Sequence, residues 1–256
     1  MKRRWSLIAA IAVLAVAQSF VVAHLVRGKG SGQQQAGAKP AASGPGVGTA
    51  ALRGAGWWPL HGSGTAKAGQ RDAVIHGGTQ WTDGPTGGAL QLDGTSGYAE
   101  TGSRLDTRGK DYSVAARVRL TPDDMDGFHT AVSQDGDGAS TFFLQYSGAD
   151  HSFAFSFSGA RTLAEAAGKP EAGRWYHLTG TYRQEDHLMR LYIDGRLAGS
   201  RVATNTVEPT GDVVIGRARF NGNPVDYWKG DIADVHIYKR ELTSRQVRSL
   251  SSREPG

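Results

Sequence analysis

The chain has no cysteine. That excludes a disulfide framework, thiol chemistry and Cys-ligated zinc. The histidines do not stand in for it. His61, His76, His129, His151, His177, His187 and His236 form no H-x-H or H-x-x-x-H pair, so zinc has no local support. No G-x-G-x-x-G, no P-loop and no alternation of strands with helices is present, which excludes a nucleotide-binding α/β fold. There is also no E-x-D-x-x-E run and no G-x-S-x-G elbow. A glycoside hydrolase on a β-sandwich commonly places two carboxylates on one strand face, since alternate residues share a face. Here Glu165, Glu171, Glu185, Glu208 and Glu241 each stand alone in turns or loops.

Excess charge is missing from most of the chain too. The net charge is +5, but residues 1–29 hold five basic residues (Lys2, Arg3, Arg4, Arg27 and Lys29) and no acid. The remainder is balanced and has no Lys/Arg run, so nucleic acid is not an expected partner.

What is present begins with an apolar segment. Ser6 to Val26 follows Lys2-Arg3-Arg4 and is 21 residues long. A helix of that length, at about 1.5 Å per residue, spans a hydrocarbon core of about 30 Å. One reading is an uncleaved signal anchor with its basic end inside. The other is a cleavable signal peptide, with Ala15-Val16-Ala17 before Gln18 as the site. Length favours the anchor. Gln18, Ser19 and His24 count against a span, and Phe20-Val21-Val22-Ala23 counts against cleavage. Both readings, drawn for residues 1–27, place the rest of the chain outside the cytoplasm. Residues 28–54 are rich in Gly, Ala, Gln, Ser and Pro. Such a segment cannot bury enough surface to offset its ordering entropy, and a disordered tether is expected.

From Trp57 onward short alternating segments recur between Gly/Asp/Pro clusters. Gly173 to Ser200 is the clearest. Trp175 to Tyr182 and Met189 to Ile193 alternate with period two, and Asp194-Gly195 joins the latter to Arg196–Ser200. An Asp-Gly pair between alternating runs is a strong hairpin signal, because a tight primed turn needs positive φ at both central positions. Ser113 to Leu120 puts Val114, Ala116, Val118 and Leu120 on one face; Ser152 to Ser158 does so with Phe153, Phe155 and Phe157. Further strands are expected at Ala89–Leu92, Tyr98–Thr101, Thr130–Ser133, Phe142–Tyr146, Val213–Gly216 and Asp231–Tyr238. Many short strands at this spacing predict an all-β, two-sheet antiparallel sandwich. Thr243-x-x-Gln246 is a capping box, and Leu242, Val247 and Leu250 give the following short helix an apolar stripe. Residues 251–256 form a polar tail.

Several segments then line up in order over about residues 55–250: Gly88–Gly94 (GALQLDG), Tyr112–Leu120, Ala131–Gly136, Arg174–Leu178, Leu191–Gly195, Val214–Gly216 and Gly230–Tyr238 (GDIADVHIY). This ordered set resembles the laminin-G-like (concanavalin A-like) jelly-roll family, in its bacterial exported form. The resemblance implies two antiparallel sheets packed face to face. It also implies a domain that binds carbohydrate, cell-surface glycans or protein partners, with one structural calcium ion in many members. Fold does not fix function, so this step is analogy.

Calcium takes six to eight oxygen ligands. By the resemblance, the ion lies where the early LDG turn meets the late G-D-I-x-D strand. The matching residues are Asp93 and Asp234, with Asp231 beside them. Their plain reading is a turn residue and two solvated strand residues. One departure stands out: family members carry Asp in the opening W-P-L-D-G segment, and here His61 takes that place in Trp58–Gly62. The loop Asp135-Gly136-Asp137-Gly138 looks calcium-like but lacks the bidentate Glu of an EF-hand, and reads as a hairpin loop.

Exposed aromatic rings are the usual platforms for sugar C–H faces. Trp57, Trp58, Trp81, Tyr227 and Trp228 sit in or beside loops. Core packing, or cover over a sandwich edge, is expected for Trp58 and Trp175. Tyr227 and Trp228, next to Asn221-Gly-Asn-Pro224, are the ligand-binding expectation, together with Asn221. With no positioned acid–base pair, the chain reads as a non-catalytic binding module. It would be tethered outside the cell membrane, or secreted if cleaved. Its partner would be a polysaccharide, a cell-surface glycan or an envelope protein. The alternatives are an interaction domain without a sugar site and, less favoured, a glycan-active enzyme.

Overall fold

The computed structural model describes residues 55–252 except 69–70, 122–124, 158–159, 164–167 and 204–205. The expected membrane segment (1–27), the linker (28–54) and tail residues 253–256 lie outside the described residues. Among the described residues, no helix is long and apolar enough to cross a membrane.

In chain order the strands are β1 (Gly56–Trp58), β2 (Val74–His76), β3 (Thr79–Thr82), β4 (Ala89–Asp93), β5 (Tyr98–Glu100) and β6 (Tyr112–Leu120). Next come β7 (Phe128–Gly136), β8 (Phe143–Ser147), β9 (Ser152–Phe157), β10 (Ala160–Leu163), β11 (Trp175–Arg183) and β12 (Leu188–Ile193). The last are β13 (Arg196–Val202), β14 (Pro209–Ile215), β15 (Ala218–Phe220), β16 (Asn223–Val225) and β17 (Lys229–Tyr238), followed by helix α1 (Ser244–Ser251). One sheet runs β13-β12-β11-β6-β17-β4-β3, with β1 also paired to β17. The other runs β10-β9-β8-β7-β14-β5-β2, and β15-β16 form a separate hairpin. Every pairing is antiparallel. The expected all-β sandwich with one short C-terminal helix is the observed architecture.

The alternation seen in sequence builds the core. Val114, Ala116, Val118 and Leu120 of β6 join Phe153, Phe155 and Phe157 of β9 in one buried cluster between the sheets. Each such large apolar side chain contributes about 1.5–3 kcal/mol when fully buried. Gly180 of β11 faces Phe155 of the opposite sheet: a Cβ there would lie 2.5 Å from the Phe155 ring. A smaller apolar cluster covers part of the other side of the first sheet. It packs Val247 and Leu250 of α1, with Leu242, against Ala115, Tyr192 and Tyr238. The capping box is formed: Gln246 N donates to Thr243 Oγ1 at 3.3 Å, and Thr243 N donates to Gln246 Oε1 at 3.0 Å.

The Asp194-Gly195 turn has φ of 48° and 79°, the double positive φ that a type I′ turn demands. Other expected strands are longer than their sequence signal. Thr130–Ser133 lies inside β7, which takes in Asp135 and Gly136 before the turn to β8. The helix runs one residue into the expected tail, to Ser251.

Candidate functional site

β2 pairs with β5 so that His76 lies opposite Tyr98 and Val74 opposite Glu100. Between them Ala99 is fully buried and Ile75 packs against the core. Alternation therefore turns His76, Tyr98 and Glu100 to the outer side of the seven-stranded sheet. There the His76 ring stacks on Tyr98, with centroids 4.7 Å apart and planes 16° from parallel. The Arg217 guanidinium carbon lies 4.8 Å from the centre of the Tyr98 ring. Tyr227 meets Tyr98 edge-on, with centroids 6.3 Å apart at 63°. Glu100 completes the group: Oε2 is 3.5 Å from His76 Nε2, and Oε1 is 3.7 Å from Arg217 Nη2. The Glu100 side chain is 45% exposed, so it can accept from a ligand.

The segment carrying Arg217 and Tyr227 is held down on this face. Arg217 is 3% exposed. Its Nη1 and Nη2 donate to Asp135 Oδ1 and Oδ2 at 2.9 and 3.1 Å, the two-pronged geometry that fits guanidinium to carboxylate. Arg219 Nη2 approaches the same carboxylate at 3.3 Å. Ser133 Oγ donates to the Arg217 carbonyl at 2.8 Å. The Tyr227 carbonyl lies 2.9 Å from His129 Nδ1, and Trp228 N donates to the Gly216 carbonyl at 2.8 Å. The rings and Glu100 thus stand on a fixed base. A clustered set of aromatic rings beside an accessible carboxylate suits a ligand with C–H faces and hydroxyl donors. The buried carboxylate here, Asp135, is committed to two arginines.

The structure brings only Tyr227 of the expected ligand-binding residues into this group. Trp228 is corrected: it is fully buried in the core, so its ring offers no platform. The chain enters β17 at the next residue, and the Trp228 backbone N donates to the Gly216 carbonyl at 2.8 Å. Asn221 sits exposed at the tip of the β15-β16 hairpin with φ of 50°, and its carbonyl accepts from Asn223 Nδ2 at 3.0 Å. Trp58 is buried as expected. Trp175 carries the Arg119 guanidinium over its ring at 5.0 Å. His76, Tyr98, Glu100 and Arg217 had no signal in sequence, because they come from segments far apart in the chain.

The three expected calcium ligands are each engaged separately. Asp93 Oδ1 accepts from the amides of Thr95, Ser96 and Gly97, each at 2.9 Å. Its Oδ2 accepts from the hydroxyls of Thr95 and Ser96 at 2.8 and 2.7 Å. Partial burial works against ionisation, but the amides of Ser96, Thr95 and Gly97 outweigh it and hold the carboxyl well below the usual range. Asp231 pairs with Arg119 at 2.8 Å and accepts from Thr82 at 3.1 Å. Asp234 accepts from Trp57 Nε1 at 2.8 Å and lies 3.8 Å from Arg117 Nε. Donors and guanidinium groups stand where a hard cation would need oxygens, so these carboxylates as arranged do not fit a calcium site. Among the described residues, no group of three or more His, Cys, Asp or Glu side chains is placed to hold a metal ion. His61 faces the Thr86 hydroxyl at 3.4 Å.

Residues 93–248 match the family model of the concanavalin A-like lectin/glucanases superfamily in its laminin-G type. The chain belongs to this family. A human relative, pentraxin-related protein PTX3, is 28% identical over 112 residues, which is 40% of this chain and 29% of that protein. The chain thus spans under a third of that relative. Among solved structures, domain 4 of AbnA, an extracellular arabinanase of Geobacillus stearothermophilus in complex with arabinotriose, superposes with a TM-score of 0.62 at 18% identity. The match covers 78% of this chain and 98% of that one. A Trypanosoma rangeli sialidase in complex with sialic acid gives 0.57 at 18% identity, covering 84% of this chain and 35% of that one. The binding domain of botulinum neurotoxin serotype D gives 0.57 at 12% identity, covering 78% and 51%. At these identities the likeness establishes the fold.

Proposed function

We propose that the chain is a non-catalytic carbohydrate-binding module, held outside the cell membrane by its N-terminal segment. The observation that carries this reading is the outer-face group of Tyr227, Tyr98 and His76 beside the half-exposed Glu100. A sugar ring would lay its C–H face against Tyr227 and donate hydroxyls to Glu100. A solved neighbour of the same fold, the arabinanase domain, is in complex with arabinotriose, which favours a glycan over a protein as the ligand class. A second reading, an interaction domain without a sugar site, draws on Leu197 and Val202 of edge strand β13, which are 51% and 55% exposed. Exposed apolar side chains on an edge strand invite pairing with another chain.

The test is binding of the full chain to a panel of glycans and cell-wall polysaccharides, with calcium and with chelator. Binding that is indifferent to calcium and lost in Tyr227→Ala supports the reading. No binding to any panel member overturns it and leaves a protein partner.

A further inference from the structure

Strand β13 is the outermost strand of its sheet, and among the described residues it pairs with β12 alone. The backbone donors and acceptors along such an edge form a template for another strand. Both flanks of this edge carry cations. Leu197 lies opposite Tyr192, and Tyr192 packs under α1, so Leu197 stands on the outer face beside the helix. Val202, opposite Leu188, follows on the same face. Helix α1 runs along this flank. Tyr192 Oη is 3.2 Å from Ser244 Oγ, and a Cβ on Gly195 would lie 3.3 Å from Arg248 Cγ.

On the inner side, at the Asp194-Gly195 end of the strand, opens a cleft of about 580 Å³. Ile193 and Ala198 form its apolar base, and Lys169, Arg174 and Arg196 stand at its rim. Arg174 is engaged with Glu171 and Asp194 at 3.6 and 3.4 Å. Lys169, Arg196 and Arg248 are exposed and meet no carboxylate among the described residues. β13 (RLAGSRV) and α1 (SRQVRSLS) contain no acidic residue. The edge is therefore flanked by unmatched positive charge on both sides.

That charge selects the occupant. A second copy of β13, laid antiparallel in full overlap, would set Arg196 against Arg201 twice, and like charges directly opposite destabilise a strand pair. A neutral strand would gain the ladder bonds and leave the cations unmatched. An acidic strand would gain both. Its alternate side chains point to the two faces, towards Arg248 on one and towards Lys169 and Arg196 on the other.

We propose that β13 binds an extended acidic segment of a partner protein by strand addition. This rests on the interaction reading of β13 and adds the partner's charge and the mode of binding. It uses no residue of the Tyr227 face, so a negative glycan panel leaves it standing.

The experiment is fluorescence anisotropy and amide hydrogen exchange of the full chain with a labelled, end-capped peptide of alternating glutamate and valine. One control replaces glutamate by lysine. The other is the acidic peptide N-methylated at every residue, which keeps the charge and loses every ladder donor. The acidic peptide is expected to bind, more weakly as salt rises, and to protect amides of β13. The double variant Arg196→Glu with Arg248→Glu, at two exposed positions, is expected to weaken binding by about tenfold, the effect of two exposed ion pairs. Equal binding of the methylated peptide would overturn strand addition. Binding of the lysine peptide in place of the acidic one overturns the acidic partner and leaves β13 as an interaction edge. Binding of neither overturns both. Sedimentation of the protein alone is expected to show a monomer; a dimer lost in Leu197→Lys would make a second copy the occupant and overturn the proposal.

Discussion

Asp234 and His236 meet side by side on β17, Oδ1 to Nε2 at 2.9 Å. A bulge between Ala233 and His236 makes the geometry possible. It lets Ile232 and Val235 both face the core while Asp234, held at φ 51°, turns outward. Trp57 adds a bond to the same carboxylate oxygen and stacks on His236 at 5.3 Å. Arg117 closes the group from β6, and His177 from β11.

This cluster makes the fold acid-sensitive. Burial first, and then the charge of Arg117, lower the His177 imidazole from 6.5 to about 3. The native state therefore keeps His177 neutral while the unfolded chain takes up a proton below 6.5. Stability falls as pH drops from 6.5 towards 3. For Asp234, burial opposes ionisation, but the bond and charge of His236 and the bond from Trp57 outweigh it, so its carboxyl is held well below 3.8. That contribution is present above 3.8 and is lost at lower pH, in the same direction. The His177 effect amounts to about 2 kcal/mol at pH 5. Urea unfolding at pH 7.5 and pH 5 measures it, and His177→Gln is expected to remove most of the difference. An unchanged difference in that variant would count against the assignment.

Asp93 acts as the staple of the turn after β4. Asp93→Ala removes the acceptor for three amides and two hydroxyls. A loss of about 1–2 kcal/mol is expected, similar to removing a helix cap. Millimolar calcium is expected to leave the melting temperature of the wild type unmoved. A rise of several degrees would mean that a site binds calcium in the native state.

The sequence carried the parts of the fold that local rules decide. Asp194-Gly195 was legible because a primed turn constrains both residues at once. The β6 stripe was legible because period two is a local property, and α1 because Thr243 and Gln246 close the box within one turn. The three-residue strands β1, β2, β15 and β16 are too short to show a period. The site was less legible still. Tyr227 stood out as an aromatic beside a turn, and Trp228 shared that signal. Tyr227 is half-buried on the outer face and Trp228 lies in the core, a difference between neighbours that precede β17 and share no local period to mark it. His76, Glu100 and Arg217 are joined only by sheet pairing and by the fold-back of the segment after β14.

The Arg217–Asp135 pair is the foundation of the outer-face site. Arg217→Ala leaves a buried carboxylate with only Arg219 beside it. Removing one member of a buried pair costs about 3–5 kcal/mol. Arg217→Ala and Asp135→Ala are each expected to fall in or just below that range, and the double variant to cost less than the sum of the two. Chemical denaturation of the four proteins checks this. Full additivity would separate the two residues.

Gly180→Ala tests the distance between the sheets. The added methyl meets the Phe155 ring at 2.5 Å, and overpacking of this kind costs about 1–3 kcal/mol. Gly180→Ala with Phe155→Leu is expected to recover part of the loss, as read by thermal melting.

The most direct measurement is an amide chemical-shift map of the protein titrated with the tightest oligosaccharide from the glycan panel. Binding at the outer face predicts the largest shifts at His76, Tyr98, Glu100, Arg217 and Tyr227, and their disappearance in Tyr227→Ala. Shifts centred elsewhere, or shifts unchanged in that variant, would contradict the account.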